Sequence, residues 1–228
     1  MRGYRGRKTI VGLAVTGAAA FGAAHALGVT ETITTTPACC TFAQPTFTID
    51  PGQVATFQDL DGVPHNVIAS GIGPDGAVLF RTDTIDSGQA PVNGTQYLGT
   101  GSYAFVCTVH PDMTANLVVT GNGSPVARPG VVLTVVSKKL DQVLASGKLK
   151  VKVSSSALSS GVVLTARKGA KKLGSKGNID VAAGASPTVK LPLTHSGKNA
   201  LKNLGSAKVK VSSTVPFGSP TTAKRKLH

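Results

Sequence analysis

Apolar and polar residues alternate along this chain in short bursts of two to seven, and turn-forming residues break the bursts apart. Thr46-Phe47-Thr48-Ile49-Asp50 alternates and then stops at Pro51-Gly52. Val54 to Phe57 follows, closed by Asp61-Gly62. Further bursts lie at 66–69, 78–82, 97–98, 102–107 and 116–120. A period of two puts one set of side chains on a core face and the other on a solvent face, which is the signature of half-buried strands. About seven short strands with frequent turn signals predict a Greek-key β-sandwich.

Beyond residue 130 the pattern is again β, with strands expected at 131–136, 148–154, 162–166, 187–193 and 207–213. In Lys148-Leu149-Lys150-Val151-Lys152-Val153 and in Lys208-Val209-Lys210-Val211, lysine alternates with an apolar residue. That spacing lines lysines along one sheet face and apolar side chains along the other. Two short helical turns are expected at 137–147 and 196–205, each with a serine to cap its start and a glycine to end it. The fold class is therefore all-β, a Greek-key sandwich followed by a second, small β-sandwich-like domain. "KLKVKVSS" and "SAKVKVSS" resemble each other, but two copies do not make a solenoid.

The expected organisation is a signal peptide over 1–26, a first domain over 27–122, a linker over 123–130 and a basic β-rich domain over 131–228. Arg2, Arg5, Arg7 and Lys8 form a basic start, Thr9 to Ala24 is apolar and small, and Ala24-His25-Ala26 offers a cleavage signature. The chain is thus expected to be extracytoplasmic, whether secreted, periplasmic or held at the cell surface. Gly, Asn, Ser and Pro punctuate 121–130, and the sign of the charge changes there. From Leu27 to Gly130, eight acids face only Arg81 and Arg128. From Val131 onward, eighteen basic residues face only Asp141 and Asp180. The overall pI describes neither half.

A strongly basic domain outside the cytoplasm favours polyanions, and its expected partner is an anionic cell-wall polymer or a membrane surface. The alternative is a soluble spacer whose lysines guard its sheet edges. Specific nucleic-acid recognition is disfavoured: lysine outnumbers arginine, Phe217 is the one aromatic in this half, and no helix is long enough to read a groove.

The chemistry is concentrated in Cys107-Thr108-Val109-His110-Pro111-Asp112-Met113, a loop between two expected strands. It spaces a thiolate, an imidazole and a thioether three residues apart. His65, in Val63-Pro64-His65-Asn66, supplies a second imidazole. Two histidines, a cysteine and a weak methionine form the donor set of a trigonal copper site suited to electron transfer. Soft sulfur donors favour Cu(I) and imidazoles suit both oxidation states, so little has to rearrange when one electron arrives. Met113 is the only methionine after Met1, which makes a core-filling role a weak explanation.

These residues resemble the type 1 (blue) copper cupredoxins, in the pattern of plastocyanin, amicyanin and pseudoazurin. The resemblance rests on C-T-V-H-P-D-M, the upstream P-H-N and the preceding "GSYAFVC", and it covers about 41–120. It implies an eight-stranded sandwich, one copper ion held by His65, Cys107, His110 and Met113, and a redox partner protein. It also implies that Asn66 ties the two ligand loops together beside Thr108, that His65 is the more buried histidine, and that His110 presents its edge to solvent. Val109 stands where several relatives have proline, and Asp112 puts a carboxylate beside His110 where many relatives are apolar. The expected function is an electron carrier, with a copper carrier or scavenger that does not cycle as the alternative. A copper enzyme would need further coppers, and the sequence offers no His-x-His pair to hold them.

Cys39-Cys40 remains. Outside the cytoplasm pairing is expected, yet adjacent Cα atoms lie about 3.8 Å apart, below the usual range for a disulfide. A vicinal disulfide, free or intermolecular thiols, and a second metal site all stay open.

Overall fold

The computed structural model describes residues 30–228, so the expected signal peptide lies outside the described residues. The first domain contains β1 (Thr32–Thr34), β2 (Thr46–Ile49), β3 (Ala55–Asp59), β4 (Ile68–Ala69), β5 (Gly88–Val92), β6 (Gly101–Val106) and β7 (Thr114–Val119). They form two sheets, in the orders β1-β3-β5 and β2-β7-β6-β4. β2 runs parallel to β7, and β6 and β7 are antiparallel neighbours. The alternating residues close between the sheets: Phe47, Ile49, Phe57, Phe105, Leu117 and Val119 are all buried. Phe105 sits at the centre, with Phe42 edge-on at 4.9 Å and Phe80 at 6.2 Å. Removing such large apolar side chains from water is the main stabilising contribution here.

The second domain contains β8 (Val132–Val135), α1 (Leu140–Ser146), β9 (Lys148–Ser154), β10 (Ser159–Lys168), β11 (Lys171–Val181), β12 (Thr188–Pro192), α2 (His195–Asn199), β13 (Ala207–Thr214) and β14 (Thr221–Leu227). Its sheets are β12-β9-β8 and β11-β10-β13-β14. Its core, built on Val151, Leu164, Leu191, Val209 and Leu227, shares no residue with the first core.

Several elements depart from the sequence expectation. The described residues of the first domain hold seven named strands, as the residue pattern predicts, against the eight that the resemblance implies. The segment 78–82 pairs only through isolated bridges, such as Arg81 with Asn93 and Val78 with Ile72. Residues 95–97 form a 3₁₀ turn rather than a strand. β1, β5, β11 and β14 were not expected. Pro91 in β5 and the Lys- and Gly-rich Lys171-Lys172-Leu173-Gly174 of β11 weaken a strand pattern. The serine caps also fail. Ser137 instead accepts a hydrogen bond at 2.9 Å from the Lys150 N–H of the sheet. α1 starts without a side-chain cap, and α2 is capped by Thr194, which accepts from the Gly197 N–H. Gly147 does end α1, in the left-handed region at φ 63°.

The two domains meet at Phe217, in the turn between β13 and β14. Its N–H donates to Asp75 Oδ2 at 2.8 Å, and its carbonyl accepts from Arg128 at 3.0 Å. Its ring lies 5.9 Å from the Tyr97 ring and 5.1 Å beneath the Arg81 guanidinium. Gly94 makes room for it: at φ +107°, a Cβ there would come within 2.4 Å of the Leu79 carbonyl and 2.7 Å of the Phe217 ring. Gly94 and Tyr97 precede the start of β6, whereas Cys107 follows its end. A six-residue strand, about 20 Å long, thus separates the docked turn from the candidate metal loop.

One aromatic contact and one cation–π contact together stabilise docking by about 1–2 kcal/mol. Phe217→Ala is therefore expected to leave both cores folded but loosen the joint, which limited proteolysis within 121–130 would register as faster cleavage. Unchanged cleavage would show that Phe217 does not hold the domains.

Candidate metal centre

Two separate stretches supply the site. Cys107 directly follows β6, and the loop to Met113 is closed by its own backbone. The Met113 N–H donates to the His110 carbonyl at 2.9 Å, and the Cys107 N–H donates to the Met113 carbonyl at 3.0 Å. His65 is held from the other side by a pair of backbone bonds with Ile85, at 2.8 and 2.9 Å. Asn66 then joins the stretches. Its Oδ1 accepts from the Thr108 N–H at 2.9 Å, and its Nδ2 donates to the hydroxyls of Thr108 at 2.8 Å and Thr84 at 3.0 Å.

The result is a tight cluster. Cys107 Sγ lies 3.6 Å from His65 Nδ1 and 3.8 Å from His110 Nδ1, and the two Nδ1 atoms are 3.1 Å apart. His65 and Cys107 are fully buried, Met113 is buried, and His110 is half-buried. Asp112 and Val109 are exposed beside it. Met113 thus lies buried at the closing end of the same loop.

Asp61 was not singled out in the sequence as a site residue. Its carboxylate oxygens lie 3.0 and 3.2 Å from His65 Nε2. Burial alone would raise its pKa, but the Val63 N–H and the His65 ring outweigh that and hold it below the ordinary carboxylate value. An ionised acceptor fixes the His65 proton on Nε2, so the Nδ1 lone pair is left facing Cys107. The available signal was the Asp61-to-His65 spacing of four, which reads equally well as a turn.

This arrangement fits a metal ion. Donors bound to one ion at about 2.0–2.3 Å lie no more than about 4.6 Å apart. All three separations meet that limit, and the buried Nδ1 of His65 points its lone pair inward. A soft thiolate with two imidazoles suits copper. The other two cysteines are close by. Cys39 and Cys40 form a vicinal disulfide, within reach of His110 and, through Cys39, of Asp61 and His65.

Asn66→Ala removes two hydrogen bonds between the ligand stretches, both to Thr108, and a third to Thr84. Urea unfolding of the metal-free protein is expected to show a loss of about 1–3 kcal/mol; no loss would mean the stretches are positioned without Asn66.

Residues 29–120 match the family of copper binding proteins described as plastocyanin/azurin. Among solved structures the chain is similar to amicyanin from Paracoccus versutus, at 26% identity and a TM-score of 0.32, covering 40% of this chain and 80% of that one. It is also similar to the oxidised state of an amicyanin point mutant, at 23% identity and a TM-score of 0.33, covering 40% and 81%. Auracyanin A, a "blue" copper protein from Chloroflexus aurantiacus, is similar at 19% identity and a TM-score of 0.32, covering 40% and 98%. No curated protein matches the chain.

Proposed function

We propose, from the match of residues 29–120 to the plastocyanin/azurin family of copper binding proteins, that the protein carries single electrons through one copper ion held by His65, Cys107, His110 and Met113. The observation that carries the reading is the convergence of Cys107 Sγ and two imidazole Nδ1 atoms within 3.8 Å of one another. Copper supplies the one-electron couple; the chain supplies its fixed surroundings. Asn66 and Asp61 hold the donors before metal arrives, so a change of oxidation state meets a frame that is already set. Half-buried His110 offers the shortest way to the surface for an electron exchanged with a redox partner protein. Buried His65 anchors the interior side.

Cys107→Ser is expected to abolish the intense blue absorption of the copper-loaded protein while the sandwich stays folded, and persistence of the colour would refute the ligand set. Met113→Leu is expected to keep copper and raise the reduction potential, because a weak donor to Cu(II) is lost. A colourless, metal-free product would contradict that.

The basic domain is proposed to hold this carrier, outside the cytoplasm, on a linear anionic polymer of the cell wall. Strand pairing sets Lys172 opposite Arg167, Arg167 opposite Lys210, and Lys210 opposite Lys224. These four exposed cations form one row across β11-β10-β13-β14, at about 4.8 Å per strand. Lys208 and Lys226 form a neighbouring pair, and Lys150 faces Lys190 on the other sheet. Like charges directly opposite one another destabilise a sheet. Among the described residues the one ion pair within 4.0 Å is His65–Asp61, so no carboxylate relieves them. A polymer of repeating anions would relieve a row of cations. Lys210→Glu/Lys224→Glu is expected to weaken retention on a polyphosphate matrix at least tenfold and flatten its salt dependence. Equal retention of both proteins, or binding only to anionic lipid vesicles, would overturn the assignment.

A further inference from the structure

The vicinal pair Cys39–Cys40 has no part in the electron-carrying reading, yet it sits against the proposed copper ligands. The pair lies at the tip of the 36–41 loop, whose base is closed by the sequence itself. The Thr36 N–H donates to the Thr41 carbonyl at 3.0 Å, and the two threonine hydroxyls are 2.9 Å apart. The Thr36 hydroxyl also reaches the Ala38 carbonyl at 2.9 Å. Directly after the loop, Phe42 is buried edge-on against Phe57 and Phe105. The cysteines are therefore held over the metal centre by the same aromatic core that supports β6.

Two donor groups converge there. Cys39 Sγ, Cys40 Sγ and a ring nitrogen of His110 lie within 4.8 Å of one another. Cys39 Sγ, an Asp61 oxygen and a ring nitrogen of His65 do the same. His110 is thus common to the cysteine pair and to the His65–Cys107–His110 cluster. Cys39 is exposed and Cys40 half-buried, while Cys107 is fully buried. Copper arriving from solution would reach the pair before it reached Cys107.

We propose that Cys39 and Cys40, once reduced, form with His110 a second copper site that captures Cu(I) and hands it to the buried ligand set. The proposal rests on the copper assignment of His65, Cys107 and His110. Two thiolates are soft donors and select Cu(I) over harder divalent ions. The disulfide takes up two electrons and two protons from an external dithiol, which is itself oxidised to a disulfide. Exposed Cys39 is the sulfur such a thiol can attack. Cu(I) then displaces the thiol protons as it binds, and its oxidation state does not change. Because His110 belongs to both groups, copper can exchange sulfur partners without leaving the protein. Reoxidation of the pair, with loss of two electrons to an external disulfide, removes the outer site and leaves copper in the inner one.

The test uses the Cys107→Ser chain, in which the inner thiolate is gone and any strong Cu(I) binding must come from the pair. Metal-free protein is reduced with dithiothreitol, desalted without oxygen and titrated with Cu(I) against bicinchoninate. The reduced form is expected to hold one Cu(I) per chain at least tenfold more tightly than the same polypeptide with its disulfide intact. Cys39→Ser/Cys40→Ser/Cys107→Ser should match the disulfide form. Equal affinity of the reduced and oxidised forms would overturn the proposal, and that comparison needs no mutation at 39 or 40. For the hand-over, the chain with Cys107 intact is expected to reach its full blue band at least tenfold faster when loaded with Cu(I) in the reduced form and then oxidised. Equal rates would overturn that step. Absence of any blue band in the disulfide form would count instead against the inner ligand set, so the two failures are separable.

Discussion

The metal centre depends on a bond between side chains that belong to different parts of the chain. His65 and Cys107 are separated by forty-two residues, and their stretches leave different strands. Asn66 spans the gap, with its amide accepting from the Thr108 backbone and donating to two hydroxyls. Each bond is modest on its own. Together they fix the residue next to each ligand, and so fix the ligands. Asp61 adds a second constraint by choosing which nitrogen of His65 carries the proton. Position is decided before a metal binds, and His65 Nδ1 faces inward, 3.6 Å from Cys107 Sγ and 3.1 Å from His110 Nδ1.

That constraint has to be carried by a rigid body, and the first core is built for it. Phe105 is two residues from Cys107, and its ring is surrounded by Phe42, Phe47 and Phe80. The same packing reaches the 36–41 loop through Phe42. The copper loop and the cysteine tip therefore rest on one aromatic cluster rather than on independent supports. Aromatic residues are scarce in this protein, at 4%. Their concentration under the site is where they contribute most to holding its geometry.

The alternation that defines β2, β3, β6, β7, β9 and β13 was legible because each of these strands has one dry face. The donor cluster was legible for a different reason: Cys107, His110 and Met113 lie in one loop, so their spacing survives in the linear sequence. His65 joined that loop as the second imidazole the donor set needs, while the tie through Asn66 came only from resemblance to relatives. What stayed hidden depended on tertiary neighbours. β14 reads as a basic tail, because Thr221-Thr222-Ala223-Lys224-Arg225-Lys226 has little apolar content until Leu227 anchors it. β11 is interrupted by Gly174, where a Cβ would come within 2.0 Å of the Pro192 carbonyl. Its glycine permits close packing against β12, which a propensity argument reads as a break. Asp61 looked like a turn residue, and it does serve a turn: its Oδ1 accepts from the Val63 N–H while the carboxylate also holds His65.

The division of charge becomes physically meaningful once the joint at Phe217 is considered. If the acidic and basic halves were free to swing, the lysine rows would be attracted to the acidic copper domain and could cover His110. The joint opposes this by placing Phe217 among Asp75, Arg81, Tyr97 and Arg128, away from the end of β6 that leads to Cys107. Two of those four residues, Arg81 and Arg128, are the only lysine or arginine side chains between 27 and 130. They are used to receive the one aromatic of the second domain rather than to neutralise acids nearby. The first domain thus keeps an acidic character at the copper end, including exposed Asp112 beside His110. The second domain keeps rows of cations that no carboxylate among the described residues pairs with. Under the proposed function, an electron partner approaching His110 and an anionic support approaching the lysines would meet surfaces of opposite sign, which would keep the two encounters from competing for one face of the protein.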